Sequence, residues 1–335
     1  MLNARYPLGF FPTPLQHLER LSARYEGHEL YIKRDDHTGL ASGGNKTRKL
    51  EYLIQAALDE GCDSVITAGA QQSNHCRQTA AACAIAGLEC HLTLGGDPPA
   101  VYNGNLLLSS ILGAEITFTG ENRKGEEMAA VKAALEARGK KPYLIPYGGS
   151  NGIGALGFVR AVQELKAQLM ERELSVDYIF FASSSGGMQA GLTMGIELYQ
   201  LETTLVPISI DKAETNGLPL QQVVFNLVSA TAPGLGIRRE FVPEDTVLDT
   251  RYDSAGYGVV TDGERRAMRE LARSEGILLD PVYTGRAFHG MLDSLESGKL
   301  RPGSKLLFWH TGGLPAIFDY AARLGEDDPR PGSGG

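Results

Sequence analysis

From residue 50 onward, stretches with helical apolar spacing alternate with short runs rich in β-branched and aromatic residues. Leu50, Leu53, Ile54, Ala57 and Leu58 recur at three- and four-residue intervals and predict a helix over 50–58. "SVITA" (64–68) then predicts a strand, "CRQTAAACAIAG" (76–87) a helix and "ECHLTLG" (89–95) a strand. The series continues with a helix at "NLLLSSILGA" (105–114), the strand "EITFTG", the helix "GEEMAAVKAALEARG" and the strand "PYLIP". Such alternation is satisfied by parallel sheets with right-handed crossovers and helices on both faces.

A glycine-rich stretch, "YGGSNGIGALGF" (147–158), separates this series from a second one. There the helix "VRAVQELKAQLMER", the strand "DYIFFAS" (177–183) and a helix running to Tyr199 are followed by the strands "LVPISID" and "KLLFWH" (305–310), with the helix "DGERRAMRELARSEG" between them. The expected fold is α/β, built as two three-layer α/β/α lobes with mostly parallel sheets. Residues 1–48 and 159–325 are expected to form a large domain, 49–158 a smaller inserted one, and 326–335 a disordered tail. No period repeats, which excludes a solenoid.

Composition narrows the function classes. Lys+Arg 32 against Asp+Glu 40 gives a net charge of −8, with no basic stripe, so nucleic acid is not an expected partner. No apolar run reaches membrane-spanning length, and the N-terminus lacks a signal-peptide layout, so a cytoplasmic location is the default expectation. Cys62, Cys76, Cys83 and Cys90 have no C-x-x-C spacing and read as reduced core thiols; no metal site is expected.

Three stretches carry chemistry. In "DYIFFASSSGGMQAGL" a buried strand ends at a turn, Ser183 to Gly187, that opens a helix, so N–H groups and hydroxyls converge where a phosphate could sit. Gly186, Gly187 and Gly191 do not follow the dinucleotide fingerprint, so a single phosphate fits better; a plain βα turn would also need these glycines. In "ITAGAQQSNHCRQ", Ser73 or Asn74 caps a helix and gathers Ser73, Asn74 and His75 around free N–H groups, a setting for a carboxylate or for nothing beyond the cap. The third stretch, "SGGNKTRKLEYL", puts Lys46, Arg48 and Lys49 at a helix start, where the dipole disfavours cations. Gly39 and Gly44 give it Walker A spacing, but Asn45 intrudes before Lys46 and no strand ends at the right place. Like-charged neighbours should lower the pKa of Lys46, and a partly neutral amine suits Schiff-base chemistry. Arg48 and Lys49 read as pointing to solvent or to Asp35 and Asp36. Tyr257 in "DSAGYGV", Tyr283 and Thr284 in "DPVYTGRAF" and Thr311 in "WHTGG" each read, taken alone, as turn residues.

Taken in order, "GGNKTRKLEYL", "QSNH", the Ser/Gly turn, "DPVYTG" and "HTGG" resemble the pyridoxal-phosphate enzymes of the tryptophan-synthase-β fold type (fold type II). Within it they resemble the group joining D-cysteine desulfhydrase and 1-aminocyclopropane-1-carboxylate deaminase, from about "FPTPL" to "GGLPA". The resemblance implies pyridoxal 5'-phosphate held covalently by Lys46, which also moves the substrate's α-proton. It implies phosphate binding by Ser185, Gly186 and Gly187, substrate carboxylate and cofactor contacts from Ser73, Asn74 and His75, and Tyr257 and Tyr283 on the reacting face. Met188 stands where relatives usually carry Thr, leaving only its backbone N–H for the phosphate, and Arg286 replaces a Lys and is taken as peripheral. A homodimer is also implied. The deaminases have Glu at the position of Thr284 and Leu at that of Thr311. A hydroxyl near the pyridine nitrogen makes a weaker electron sink than a carboxylate does. The expected reaction is therefore α,β-elimination, first of D-cysteine to pyruvate, hydrogen sulfide and ammonia. L-cysteate sulfo-lyase, deamination of the cyclopropane amino acid, a non-catalytic cofactor- or amino-acid-binding protein, and a Cys76 nucleophile beside His75 stand as alternatives.

Overall fold

The apolar runs pair into two sheets. The computed structural model describes residues 2, 4–25, 27–211, 214 and 217–325, so the tail expected over 326–335 lies outside the described residues. The first strands, β1 (Leu15–His17) and β2 (Glu29–Arg34), lead to a helix over Lys46–Asp59. Then come β3 (Ser64–Ala70), β4 (Glu89–Gly95), β5 (Glu115–Phe118) and β6 (Pro142–Leu144). These four form one all-parallel sheet in the order β5-β4-β3-β6. The remaining strands, β7 (Tyr178–Ser183), β8 (Thr204–Ser209) and β9 (Lys305–His310), join β1 and β2 in a second sheet, order β1-β2-β9-β7-β8. Only β1 runs antiparallel, at an edge. Strands such as Ile179, Phe180 and Phe181 in β7 or Leu306 to Trp309 in β9 are apolar on both faces, as helices on both sides require.

The Lys46–Asp59 helix is buried nearly all round, from Thr47 through Ile54. One side packs Leu50, Leu53, Ile54 and Ala57 into the core of the four-stranded sheet. The other side meets a helix over Gly152–Glu171. That helix begins seven residues before the start expected at Val159, and the reason is packing. A Cβ at Gly157 would collide with the Arg48 carbonyl, and one at Gly154 with that of Gly149. Gly157, inside a stretch that reads as a loop, is where the two helix backbones touch.

Burial of the 46–59 helix start forces its cations to find partners. Arg48 Nε and Nη2 donate to the two Asp35 carboxylate oxygens at 2.7 and 2.8 Å, and Nη1 donates to Glu164 at 2.9 Å. Lys33 Nζ reaches the same Glu164 at 2.5 Å. Arg48 is thus the centre of a buried ionic cluster joining β2 and two helices; of the two surroundings expected for it, it takes the Asp35 carboxylate and not solvent. Among the described residues, no helix is long and apolar enough to cross a membrane.

Candidate active site

Loops following the C-terminal ends of β3, β6, β7 and β9 converge on the start of the Lys46–Asp59 helix. Ligands of open α/β sheets occupy this edge. The cleft there has about 620 Å³ of atom-free space, open solvent at its mouth included. Lys46 and Lys49, Ser73 to His75, Ser183 to Gly186, Tyr283 and Thr311 line it. Among the described residues, no Asp or Glu lines it.

Lys46 and Lys49 both donate to one carbonyl, that of Gly148, at 3.2 and 3.0 Å. Such an approach needs a glycine: Gly148 has φ +64°, and a Cβ there would stand 2.6 Å from Ser185 Cβ and 3.3 Å from Lys46 Nζ. Burial lowers the Lys46 amine to about 8. The direction matches the sequence reading but the cause differs. Arg48 is neutralised by Asp35 and Glu164 and cannot supply the field; loss of hydration does. Lys49 is held well below the ordinary lysine range, by burial first and by Lys46 second. It does not face solvent, as the sequence suggested. Its Nζ donates to Ser150 Oγ at 3.0 Å, beside the glycine turn. Lys49 is a site residue that sequence reasoning missed, as are Asn45 and Tyr147, which also line the cleft.

The turn after β7 forms as expected. Gly186 caps the Gly187–Tyr199 helix with φ +84°, a conformation open to glycine. Ser150 Oγ accepts from Gly187 N–H at 3.1 Å and donates to Ser185 Oγ at 2.8 Å, which leaves the Ser185 hydroxyl hydrogen free to point into the cleft. Helix start, hydroxyls and the Lys49 amine together make a setting for a dianion. Met188 lines the cleft too, its sulfur accepting from Asn45 Nδ2 at 3.4 Å.

Ser73 is the cap of the Asn74–Ala86 helix, with Oγ accepting from Cys76 N–H at 3.2 Å, so its own hydroxyl hydrogen remains available. Asn105 Oδ1 accepts from Arg77 Nε at 2.7 Å and its Nδ2 donates to Asn74 Oδ1 at 2.8 Å. That chain leaves Asn74 Nδ2 as the group offered to a ligand. His75 is set differently. Thr67 Oγ1 donates to the Ile145 carbonyl at 2.9 Å, so it must accept from His75 Nε2–H at 2.9 Å. Nδ1 is then a buried acceptor without a hydrogen-bond partner among the described residues, and burial together with Lys46 and Lys49 keeps the ring neutral. The His75 ring therefore offers a ligand an acceptor, whereas Ser73 Oγ–H and Asn74 Nδ2 offer donors. Burial pushes the Cys76 thiol up to about 12, which leaves no thiolate for a nucleophilic role at neutral pH.

On the opposite wall the Tyr257 and Tyr283 hydroxyls are 2.6 Å apart, and Tyr283 lines the cleft. Burial raises both phenols, so both keep their protons. Thr311 lines the cleft at the end of β9, but Thr284 is not brought there. It opens the Thr284–Glu296 helix with no exposed surface, and its Oγ1 donates to Asp280 Oδ1 at 2.7 Å. The Asp280 carboxylate also accepts from the Val282, Tyr283 and Thr284 N–H groups and so ties the whole turn inward. Arg286, taken as peripheral, is fully buried. It donates to Glu264 at 2.7 Å and to the carbonyls of Ile210, Gly256 and Val259 at 2.8, 3.0 and 2.7 Å. The last two bracket Tyr257.

An acid-free cleft with two buried amines, a hydroxyl-rich helix start and donors on a second wall suits a ligand carrying a phosphate and a carboxylate, with a carbonyl for Lys46. Known proteins agree. Residues 6–312 match the family model described as pyridoxal-phosphate dependent enzyme. A crystal structure of an ACC deaminase homologue is 38% identical over 96% of this chain and 95% of its own, with a TM-score of 0.86. Threonine deaminase isoform 2 of Solanum lycopersicum (20% identity, 94% and 87% covered, TM-score 0.66) and a hydrogen sulfide-producing enzyme of Fusobacterium nucleatum (20%, 91% and 94%, 0.59) share the fold. Matched by that family model over residues 6–312, the chain belongs to the pyridoxal-phosphate-dependent enzymes.

Proposed function

We propose that this enzyme is a lyase that removes the β-substituent of a small amino acid, with D-cysteine as the first-choice substrate. Water and D-cysteine would give pyruvate, ammonia and hydrogen sulfide. The observation that carries the reading is a cleft lined by two amines and the Thr311 hydroxyl but by no carboxylate. The bound cofactor supplies an electron sink for the charge left when the α-proton departs.

The protein's own groups do the rest. Lys46 would hold the cofactor covalently and, once displaced by the substrate's amine, take the α-proton. An amine lowered to about 8 exists in both protonation states near neutral pH, which suits a group that first accepts and then returns a proton. Lys49, Ser185 and the N–H groups of Gly186 and Met188 would hold the phosphate, with Gly187 N–H holding Ser150 Oγ beside it. Ser73 Oγ–H and Asn74 Nδ2 would orient the carboxylate. The protonated Tyr257 and Tyr283 pair would give a proton to the leaving sulfur. Thr311 can donate to a pyridine nitrogen but cannot protonate it, and the weaker sink favours loss of thiolate over opening of a cyclopropane ring. Thr284 is turned to Asp280, which leaves Thr311 as the threonine hydroxyl offered to the cleft.

The solved relative called an ACC deaminase homologue favours ring opening as the second reading. Incubation with D-cysteine, L-cysteine, L-cysteate and the cyclopropane amino acid, scoring pyruvate against 2-oxobutyrate, decides. Pyruvate from D-cysteine is expected. Pyruvate from L-cysteate alone would make the protein a sulfo-lyase, 2-oxobutyrate a deaminase, and binding without turnover a binding protein.

A further inference from the structure

Arg123 lies outside every motif described above, in the loop that follows β5. From the four-stranded sheet its guanidinium crosses to the five-stranded one. Nη2 donates to Asp211 Oδ2 at 2.5 Å, just beyond β8, and Nη1 to the Tyr147 hydroxyl at 3.3 Å. Its Cζ stands 4.4 Å from the centroid of the Tyr257 ring. The adjacent Lys124 crosses as well, with Nζ donating to the Glu214 carbonyl at 2.9 Å. At the end of β4, a Cβ on Gly95 would stand 2.6 Å from Arg123 Cβ and 3.1 Å from the Asn122 carbonyl, so the loop lies flat on the sheet.

We propose that Arg123 is a positioning residue for the reaction: tied to Asp211 and stacked on Tyr257, it holds the Tyr257 and Tyr283 phenols at the cleft. The inference rests on the reading that elimination takes place there. Solvent-exposed ion pairs contribute little, but Asp211 is only 7% exposed and the Arg123 side chain 21%, so this pair is largely withdrawn from water. A cation over an aromatic face is likewise worth more when desolvated. The residue type fits the task. A planar guanidinium can stack on one ring while donating in its own plane to two partners, and an ammonium cannot. Arg286 fixes the backbone on both sides of Tyr257, and Arg123 is the group that covers its ring.

The test compares the wild type with R123Q, R123K and D211N. R123Q is expected to bind cofactor as the wild type does, seen in the visible absorbance of the bound chromophore, and to keep KM within about threefold. Its kcat should fall about 10- to 100-fold, the cost of a displaced catalytic group. R123K, which keeps the charge and the Asp211 pair but not the stack, should regain part of that loss. In the cofactor-free protein, amide hydrogens of residues 255–259 should exchange at least about tenfold faster in R123Q than in the wild type. D211N frees the same arginine without removing it and should move exchange and kcat in the same direction, which keeps the test intact if R123Q folds poorly. Unchanged exchange at 255–259 overturns the proposal, and so does faster exchange with unchanged kcat. If the wild type turns over none of the amino acids, the functional reading falls by itself, and exchange alone still decides whether Arg123 holds Tyr257.

Discussion

Lys46 and its neighbours divide three adjacent positive charges among three tasks. Arg48 is neutralised and structural, Lys49 is buried without a carboxylate among its hydrogen-bond partners, and Lys46 faces the cleft with its amine lowered to about 8. The neutral amine is the form that attacks an aldehyde. Adduct formation between the cofactor-free protein and pyridoxal phosphate should therefore accelerate as pH rises through about 8 and level off above it, where an ordinary lysine would keep gaining toward 10.5. Stopped-flow absorbance across that range checks this. Between about 8 and 10.5 the unfolded Lys46 amine binds more protons than the folded one, so the contribution of Lys46 to the stability of the cofactor-free protein rises with pH over that window. Arg286 gives a second residue-scale prediction. A lysine there cannot reach Glu264 and three carbonyls at once, so R286K should lower unfolding free energy by about 1–3 kcal/mol and kcat with it, measured by urea denaturation and turnover. Lys46, the Ser73 cap and the Ser185 turn were legible because each sits at a helix start, where the sequence pattern marks the edge of the sheet. Lys49, Arg123 and Arg286 were not, because their partners lie in distant segments: Ser150, Asp211 and the Tyr257 loop. A first turn that carries three cations and no acidic residue, directly ahead of an apolar run, is the signal that would have flagged Lys49.

At the scale of elements, strand and helix alternation was enough to predict an α/β fold, since period and β-branched content mark the strands. It failed where glycine has a packing role. The Gly152–Glu171 helix begins inside a stretch that reads as a loop, because Gly157 allows it to cross the Lys46–Asp59 helix at backbone contact and Gly154 leaves room for the Gly149 carbonyl. Replacing Gly157 by Ala pits two effects against each other. Helix propensity favours Ala by up to about 1 kcal/mol. The added methyl group meets the Arg48 carbonyl, which cannot move without shifting the helix that carries Lys46 and Lys49. Overpacking of this kind costs about 1–3 kcal/mol. G157A should therefore be destabilised on balance, and its affinity for pyridoxal phosphate should drop, as measured by urea unfolding and by titration of the cofactor. A stability gain with unchanged affinity would show that the crossing relaxes freely.

In the molecule as a whole, the cleft belongs to neither sheet alone. Ser73, Asn74 and Tyr147 come from loops of the four-stranded sheet, Ser185, Tyr283 and Thr311 from the five-stranded one, and the Lys46–Asp59 helix lies between. A ligand that touches all three should stabilise the native state against unfolding in proportion to its binding. The central claim is narrower: of two amines that share the Gly148 carbonyl, Lys46 is the one that holds the cofactor covalently. Reduction of the pyridoxal-phosphate-loaded protein with borohydride, followed by peptide mass mapping, tests it directly. The expected result is a single stoichiometric adduct on Lys46, absent from K46A. A stoichiometric adduct on Lys49, or no adduct at all, would contradict it.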